Sequence, residues 1–252
     1  RWKHRSFRRR SLCRSHSFLF QEWQRGWITQ FMRKTGRKLL WIALFSIAMA
    51  YLESAIVVYL RRLYGIEDLM LHVPPFDAQI AAIEVGRELA TLVMLLSIGW
   101  IAGSRLASKL GYAVITFGLW DIFYYVWLHI FIGWPQSLLD PDLLFLVPLP
   151  WWGPVLAPVL VSLLMIAGGL IAVVNSENGK ALNFNYRFWI SLSLGVLTML
   201  YAFMEDAISA LPADAVTLSN LRPSAFNWPV FLLGLGLAIY SIWQINPKKQ
   251  HA

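Results

Sequence analysis

Seven side chains inside long apolar runs of this chain could line one polar pocket: Glu53, Glu84, Arg87, Glu88, Asp121, Tyr125 and His129. An ionised carboxylate near the centre of a bilayer costs on the order of 3 kcal/mol on insertion scales. Such groups face a helix bundle, pair with one another, or stay protonated. Three kinds of chemistry suit the set. Arg87 can neutralise a carboxylate in a buried ion-pair network. The carboxylates can carry protons or cations, or the arginine can hold an anion, in a binding or transport site. Glu53, Glu84, Glu88, Asp121 and His129 are also acceptable ligands for a hard or borderline divalent metal. The Glu-x-x-His pairing of di-metal helix bundles is absent.

The elements that must position these groups are transmembrane helices. The chain has 252 residues, 58% hydrophobic and 14% charged, with a mean hydropathy of +0.54. Soluble domains run nearer 45–50% apolar and about 25% charged. An ordinary soluble domain, a disordered chain and a disulfide scaffold are excluded, and an all-α polytopic membrane protein remains. Six apolar runs, near 39–60, 82–103, 112–133, 152–174, 188–206 and 227–245, have the length that crosses about 30 Å of hydrocarbon. They form one transmembrane domain, 39–245, between a basic arm at 1–38 and a tail at 246–252.

Charge sets the expected orientation. The first 38 residues hold 12 of the 22 Lys and Arg, and Arg105, Lys109, Lys180, Arg187, Lys248 and Lys249 fall on the same side. The opposite side has Arg61, Arg62 and Arg222, and its loops carry Glu67, Asp68, Asp77, Asp140, Asp142 and Asp214. The positive-inside bias places both termini in the cytoplasm. The net charge of +8 then reads as a topology signal rather than a nucleic-acid footprint. In the arm, Phe20, Trp23, Trp27 and Phe31 recur at helical spacing among Arg25, Arg33 and Lys34. That pattern suits an amphipathic interfacial helix with its basic groups near anionic lipid.

This topology sets the depth of each polar residue. Glu53 lies about seven residues, or roughly 10 Å, below the outer surface at 1.5 Å per residue. Glu84 and Glu88 share a helix face, with Glu84 near the outer rim and Asp121 near mid-membrane. Tyr125 and His129 follow Asp121 at i+4 and i+8. One outward-facing polar pocket between the first three helices is the expectation.

The remaining residues narrow the chemistry. Only His129 falls in an apolar run, so a b-type haem with two histidine ligands is not expected. No lysine lies in a run, so a retinal Schiff base has no attachment point. Cys13 is the single cysteine. Gly99, Gly103, Gly168, Gly169, Gly234 and Gly236 are expected to permit close helix contact. Ser54, Ser97, Ser162, Ser191 and Ser193 are expected to bond back to their own helices. The tryptophans at run ends read as an interfacial belt, Glu205-Asp206 as a solvated end, and Leu138–Pro150 as a surface or re-entrant segment.

The stretches FGLWDIFYYVWLHIFIGWP (117–135) and LLFLVPLPWWGPVLAP (143–158) resemble uncharacterised polytopic inner-membrane proteins of bacteria, over roughly the first four runs. The resemblance implies a bacterial inner membrane with the pocket facing the periplasm, and no activity. The favoured expectation is binding or translocation of a small polar or ionic ligand, with Asp121 and Glu53 as carrying groups and Arg87 as counter-charge. Two other classes fit the same residues. One is an accessory or assembly subunit of a larger membrane complex. The other is a metal-dependent membrane enzyme, although no nucleophile motif accompanies the acids.

Overall fold

The computed structural model describes the backbone of residues 8–65, 77–145, 149–214, 217, 221 and 224–249, and side chains from 34 onward within those ranges, Ala81 and 246–249 excepted. The chain forms two compact units, Arg1–Trp41 and Ile42–Ala252. The first unit is helical from Arg8, and the aromatic residues expected on the arm's apolar face lie outside the described side chains.

Helices dominate. In order they are α1 (Arg8–Leu63), α2 (Ala78–Ala102), α3 (Leu106–Ile132), α4 (Leu156–Glu177), α5 (Tyr186–Ser209) and α6 (Trp228–Trp243). Among the described residues five segments are long and apolar enough to cross a membrane: Lys34–Leu63 of α1, and the whole of α2, α3, α4 and α5. The protein is therefore a multi-pass, helical membrane protein. The sixth expected run behaves differently. It yields a helix of 16 residues, about 24 Å at 1.5 Å per residue, short of the usual 30 Å core. Its limits are set by Asn227, whose side chain accepts from the Val230 N–H at 3.3 Å, and by residues 246–249, which leave the helix and pair as a strand.

The other helix ends are also set by local chemistry. Asp77 caps α2 by accepting from the Gln79 and Ile80 amides at 2.8 and 3.1 Å. Asn185 caps α5 by accepting from the Phe188 amide at 2.8 Å. Gly133 ends α3 at φ 70°, the left-handed conformation that glycine adopts without a Cβ clash.

Two small antiparallel sheets join the helices. β1 (Pro141–Phe145) pairs with β2 (Trp151–Pro154), with Asp142 opposite Gly153 and Leu143 opposite Trp152. β3 (Lys180–Asn183) pairs with β4 (Asn246–Lys249). Within the 138–150 segment residues 141–145 form β1, and the fourth span starts at Leu156 rather than 152. The β1–β2 hairpin corrects the belt reading. Trp152 is buried and Trp151 stacks on Phe203 at 6.5 Å, whereas Trp41, Trp189 and Trp243 at the other run ends are exposed as belt residues should be.

Between helices, small residues bring backbones together. A Cβ added at Gly111 would lie 2.9 Å from the Gly169 carbonyl oxygen, and one at Gly195 would lie 2.7 Å from that of Gly234. These contacts knit α3 to α4 and α5 to α6. Gly99 meets Lys109 and Ala113 across the α2–α3 contact, while Gly236 has nothing within 4 Å.

Candidate functional site

α1 and α2 meet through a charged knot. Arg87 on α2 pairs with Glu53 on α1 and with Glu84, one turn back on its own helix. Its Nε donates to Glu84 Oε2 at 2.8 Å. Thr91 Oγ1 donates to Glu53 Oε2 at 3.3 Å. Two carboxylates saturate the face of one guanidinium, so Arg87 is counter-charge and not a free anion receptor. Glu88 is partly buried, feels Arg87 and Glu84, and makes no ion pair among the described residues.

α1 and α3 meet through neutral hydrogen bonds. Ser54 Oγ donates to the Tyr124 carbonyl at 3.0 Å, and Trp127 Nε1 donates to the Ile47 carbonyl at 3.0 Å. Between them Met49, Ala50, Leu95 and Trp120 form a small apolar core. This packing holds Asp121, in the middle of α3, against α4. There Ser162 Oγ donates to Asp121 Oδ2 at 2.8 Å, in place of the expected bond back to its own helix. Asp121 is partly accessible, and among the described residues no basic side chain pairs with it.

Tyr125, one turn after Asp121, takes a different partner. Its hydroxyl donates to Asp142 Oδ2 on β1 at 3.1 Å. Arg61 Nη2, from the last turn of α1, lies 4.0 Å from Asp142 Oδ1, and the guanidinium stacks 4.4 Å over the Trp134 ring. Burial pushes the Asp142 carboxyl up to about 6, while Arg61, the Tyr125 hydroxyl and the Leu143 backbone pull it back down. Asp121 feels Asp142, and Tyr124 feels both arginines and both aspartates. The two clusters therefore share one electrostatic region.

Of the expected pocket residues, Glu53, Glu84 and Arg87 are brought together, and Asp121 and Tyr125 sit beside the hairpin. His129 does not join them. It is exposed, with Nδ1 2.8 Å from the Pro135 carbonyl. The reason is geometric: at 3.6 residues per turn, i+8 has rotated by about 80° from i, against about 40° for i+4. Among the described residues no group of three or more His, Cys, Asp or Glu converges to hold a metal ion. The expected ligand set is thus divided between the knot, the α4 contact and the helix end.

Arg61, Thr91 and Asp142 join these clusters although they do not belong to the expected pocket set. Asp142 stood among outer-loop acids, and the available signal was the Trp-Trp-Gly-Pro stretch that β1 could pair with. Glu205 and Asp206, expected as a solvated end, are half-buried. They line a cavity of about 220 Å³ with Trp152, Ser224, Phe226 and Asn227. Asn227 Nδ2 donates to Glu205 at 3.0 Å, and Ser224 Oγ to Asp206 at 2.6 Å.

No protein-family model, curated protein or solved structure matches this chain.

Proposed function

We propose that this membrane protein binds or translocates a small cation, the proton included, with Asp121 as the carrying group. One observation supports the reading. Asp121 is a mid-span carboxylate, partly accessible, with a neutral hydroxyl donor and no cation paired to it among the described residues. A carboxylate so placed gains free energy by taking up a proton or a cation. Glu53, the second carrying group expected from the sequence, is already neutralised by Arg87. The charge asymmetry of the loops supports cytoplasmic termini with the β1–β2 hairpin outside. The resemblance noted in the sequence supports a bacterial inner membrane.

The test is flux into liposomes holding a trapped pH-sensitive dye, under a potassium diffusion potential. Wild-type protein should carry protons above the leak of empty vesicles, or carry sodium in a matched gradient assay. Asp121→Asn should lose that flux while eluting and melting like wild type. A folded Asp121→Asn protein with unchanged flux sinks the reading. So does wild-type flux of both ions equal to empty vesicles. An Asp121→Asn protein that unfolds makes Asp121 a structural group.

A further inference from the structure

The hairpin carries a titratable group that the cation reading does not use. Asp142 is 3% exposed, and it is the one acid that β1–β2 inserts among the helix ends. Facing it are Arg61 from α1, and Tyr125, Tyr124 and Asp121 from α3. Arg61 stands 4.0 Å away, at the outer limit of an ion pair, with its guanidinium lying on Trp134. One hydroxyl, at 3.1 Å, is the side-chain hydrogen bond Asp142 receives. Asp121 adds repulsion to any negative charge on Asp142. A buried carboxylate recovers its lost hydration only with close, well-aligned partners. Here the cation is distant, so the ionised form is poorly held. The neutral form keeps the Tyr125 bond and escapes the desolvation cost.

We propose that the β1–β2 hairpin is a lid that acid seats: neutral Asp142 holds it against the ends of α1 and α3, and ionised Asp142 loosens it. The proton is the ligand of this device, whatever the protein carries elsewhere. A loosened hairpin frees Tyr125 and Arg61 and changes the walls of the cavity that Pro141, Trp152, Gly153 and Pro154 help to line.

The sign follows from linkage. The seated carboxyl titrates at about 6 and a solvated aspartate at 3.8, so the seated form binds the proton more tightly. Acid therefore favours the seated form. The advantage is full below pH 4 and is lost as pH rises through about 6. It amounts to about a hundredfold in the ratio of seated to loosened forms.

Hydrogen–deuterium exchange of the full chain in lipid nanodiscs tests this, with rates corrected for the intrinsic pH dependence of exchange. Protection of the strand amides in 142–145 and 151–153 should fall by up to about a hundredfold between pH 4 and pH 7. The amides of α6 serve as the reference and should not change with it. Asp142→Asn, neutral at every pH, should stay protected and flat. Tyr125→Phe is the second variant, in case Asp142→Asn fails to fold. It removes a bond that is stronger to the carboxylate than to the neutral carboxyl, so it should loosen the hairpin more at pH 7 than at pH 4 and steepen the pH dependence. Wild-type protection that is flat or rises with pH overturns the proposal. So does a folded Asp142→Asn protein with an exposed hairpin, because the Arg61 ion pair would then be what holds the lid.

Discussion

α1 to α3 and α5 to α6 solve the same packing problem by different means. Lipid tails give helices no hydrophobic reason to associate, so close contact and polar bonds must do it. α5 and α6 use close contact. Gly195 and Gly234 bring the two backbones together, and Phe203, Phe226, Trp228 and Phe231 fill the space beyond with edge-to-face and tilted rings. Ser241 bonds to its own helix, and the side-chain bonds across the pair among the described residues lie at its two ends, Gln244 Nε2 to Ser191 Oγ at 3.1 Å and Asn227 Nδ2 to Glu205 at 3.0 Å. α1 joins α2 and α3 by polar bonds, the Glu53–Arg87–Glu84 knot, Ser54 to the Tyr124 carbonyl and Trp127 to the Ile47 carbonyl, while α2 and α3 close on each other at Gly99. The difference teaches where function can reside. The glycine contact itself carries no titratable group, and the acids at its end, Glu205 and Asp206, are held by Asn227 and Ser224. The charged knot sits in a region with surplus acid, since Glu88 and Asp121 have no paired cation among the described residues.

Breaking the knot should give the largest effect. Arg87→Met leaves Glu53 buried without a cation, which costs about 3 kcal/mol or more and is read as a large fall in Tm. Adding Glu53→Gln should restore part of the loss, because the more buried of the two uncompensated charges then disappears while Glu84 stays unpaired. A double variant as unstable as the single would show that Arg87 acts by packing and not by charge. The matching attack on the other region is Gly195→Val. Its new side chain meets the Gly234 carbonyl at 2.7 Å and the Ala238 amide at 2.8 Å, so overpacking should cost about 1–3 kcal/mol. Gly236→Ala, where nothing lies within 4 Å, should melt like wild type. Equal effects at the two glycines would undo the claim that close backbone contact holds α5 to α6.

The sequence made the helices legible because length, apolarity and cap residues are local signals. Asn185 and the Gly133 turn are where the residue types put them. It also made Arg87 legible as counter-charge, since one guanidinium stood among carboxylates at similar depth. It misplaced groups whose partners are distant in the chain. Asp142 resembles any loop aspartate until β2 pairs opposite it, and Ser162 is an ordinary helix serine until Gly118 lets α3 close in. His129 was misjudged for a different reason: a face drawn at i, i+4 and i+8 drifts around the helix. The short α6 was hidden because apolarity continues to residue 245 while the backbone has already turned to pair with β3.

The smallest expected effect is the most discriminating. Ser162→Ala removes the hydroxyl that donates to Asp121 and little volume besides. Interhelical side-chain bonds in membranes average about 0.6 kcal/mol, so the Tm should hardly move. Ser162 is buried against the place where a Cβ at Gly118 would come 2.6 Å from its carbonyl, so alanine fits the space already made. If Asp121 carries a cation, the Ser162 hydroxyl tunes that binding, and liposome flux should change although stability does not. If the bond is packing, flux should match wild type. An unchanged flux in Ser162→Ala together with an unchanged flux in Asp121→Asn would make α1 to α3 a second structural solution beside α5 to α6. A changed flux at unchanged Tm would separate the two regions by what they do and not merely by how they are held.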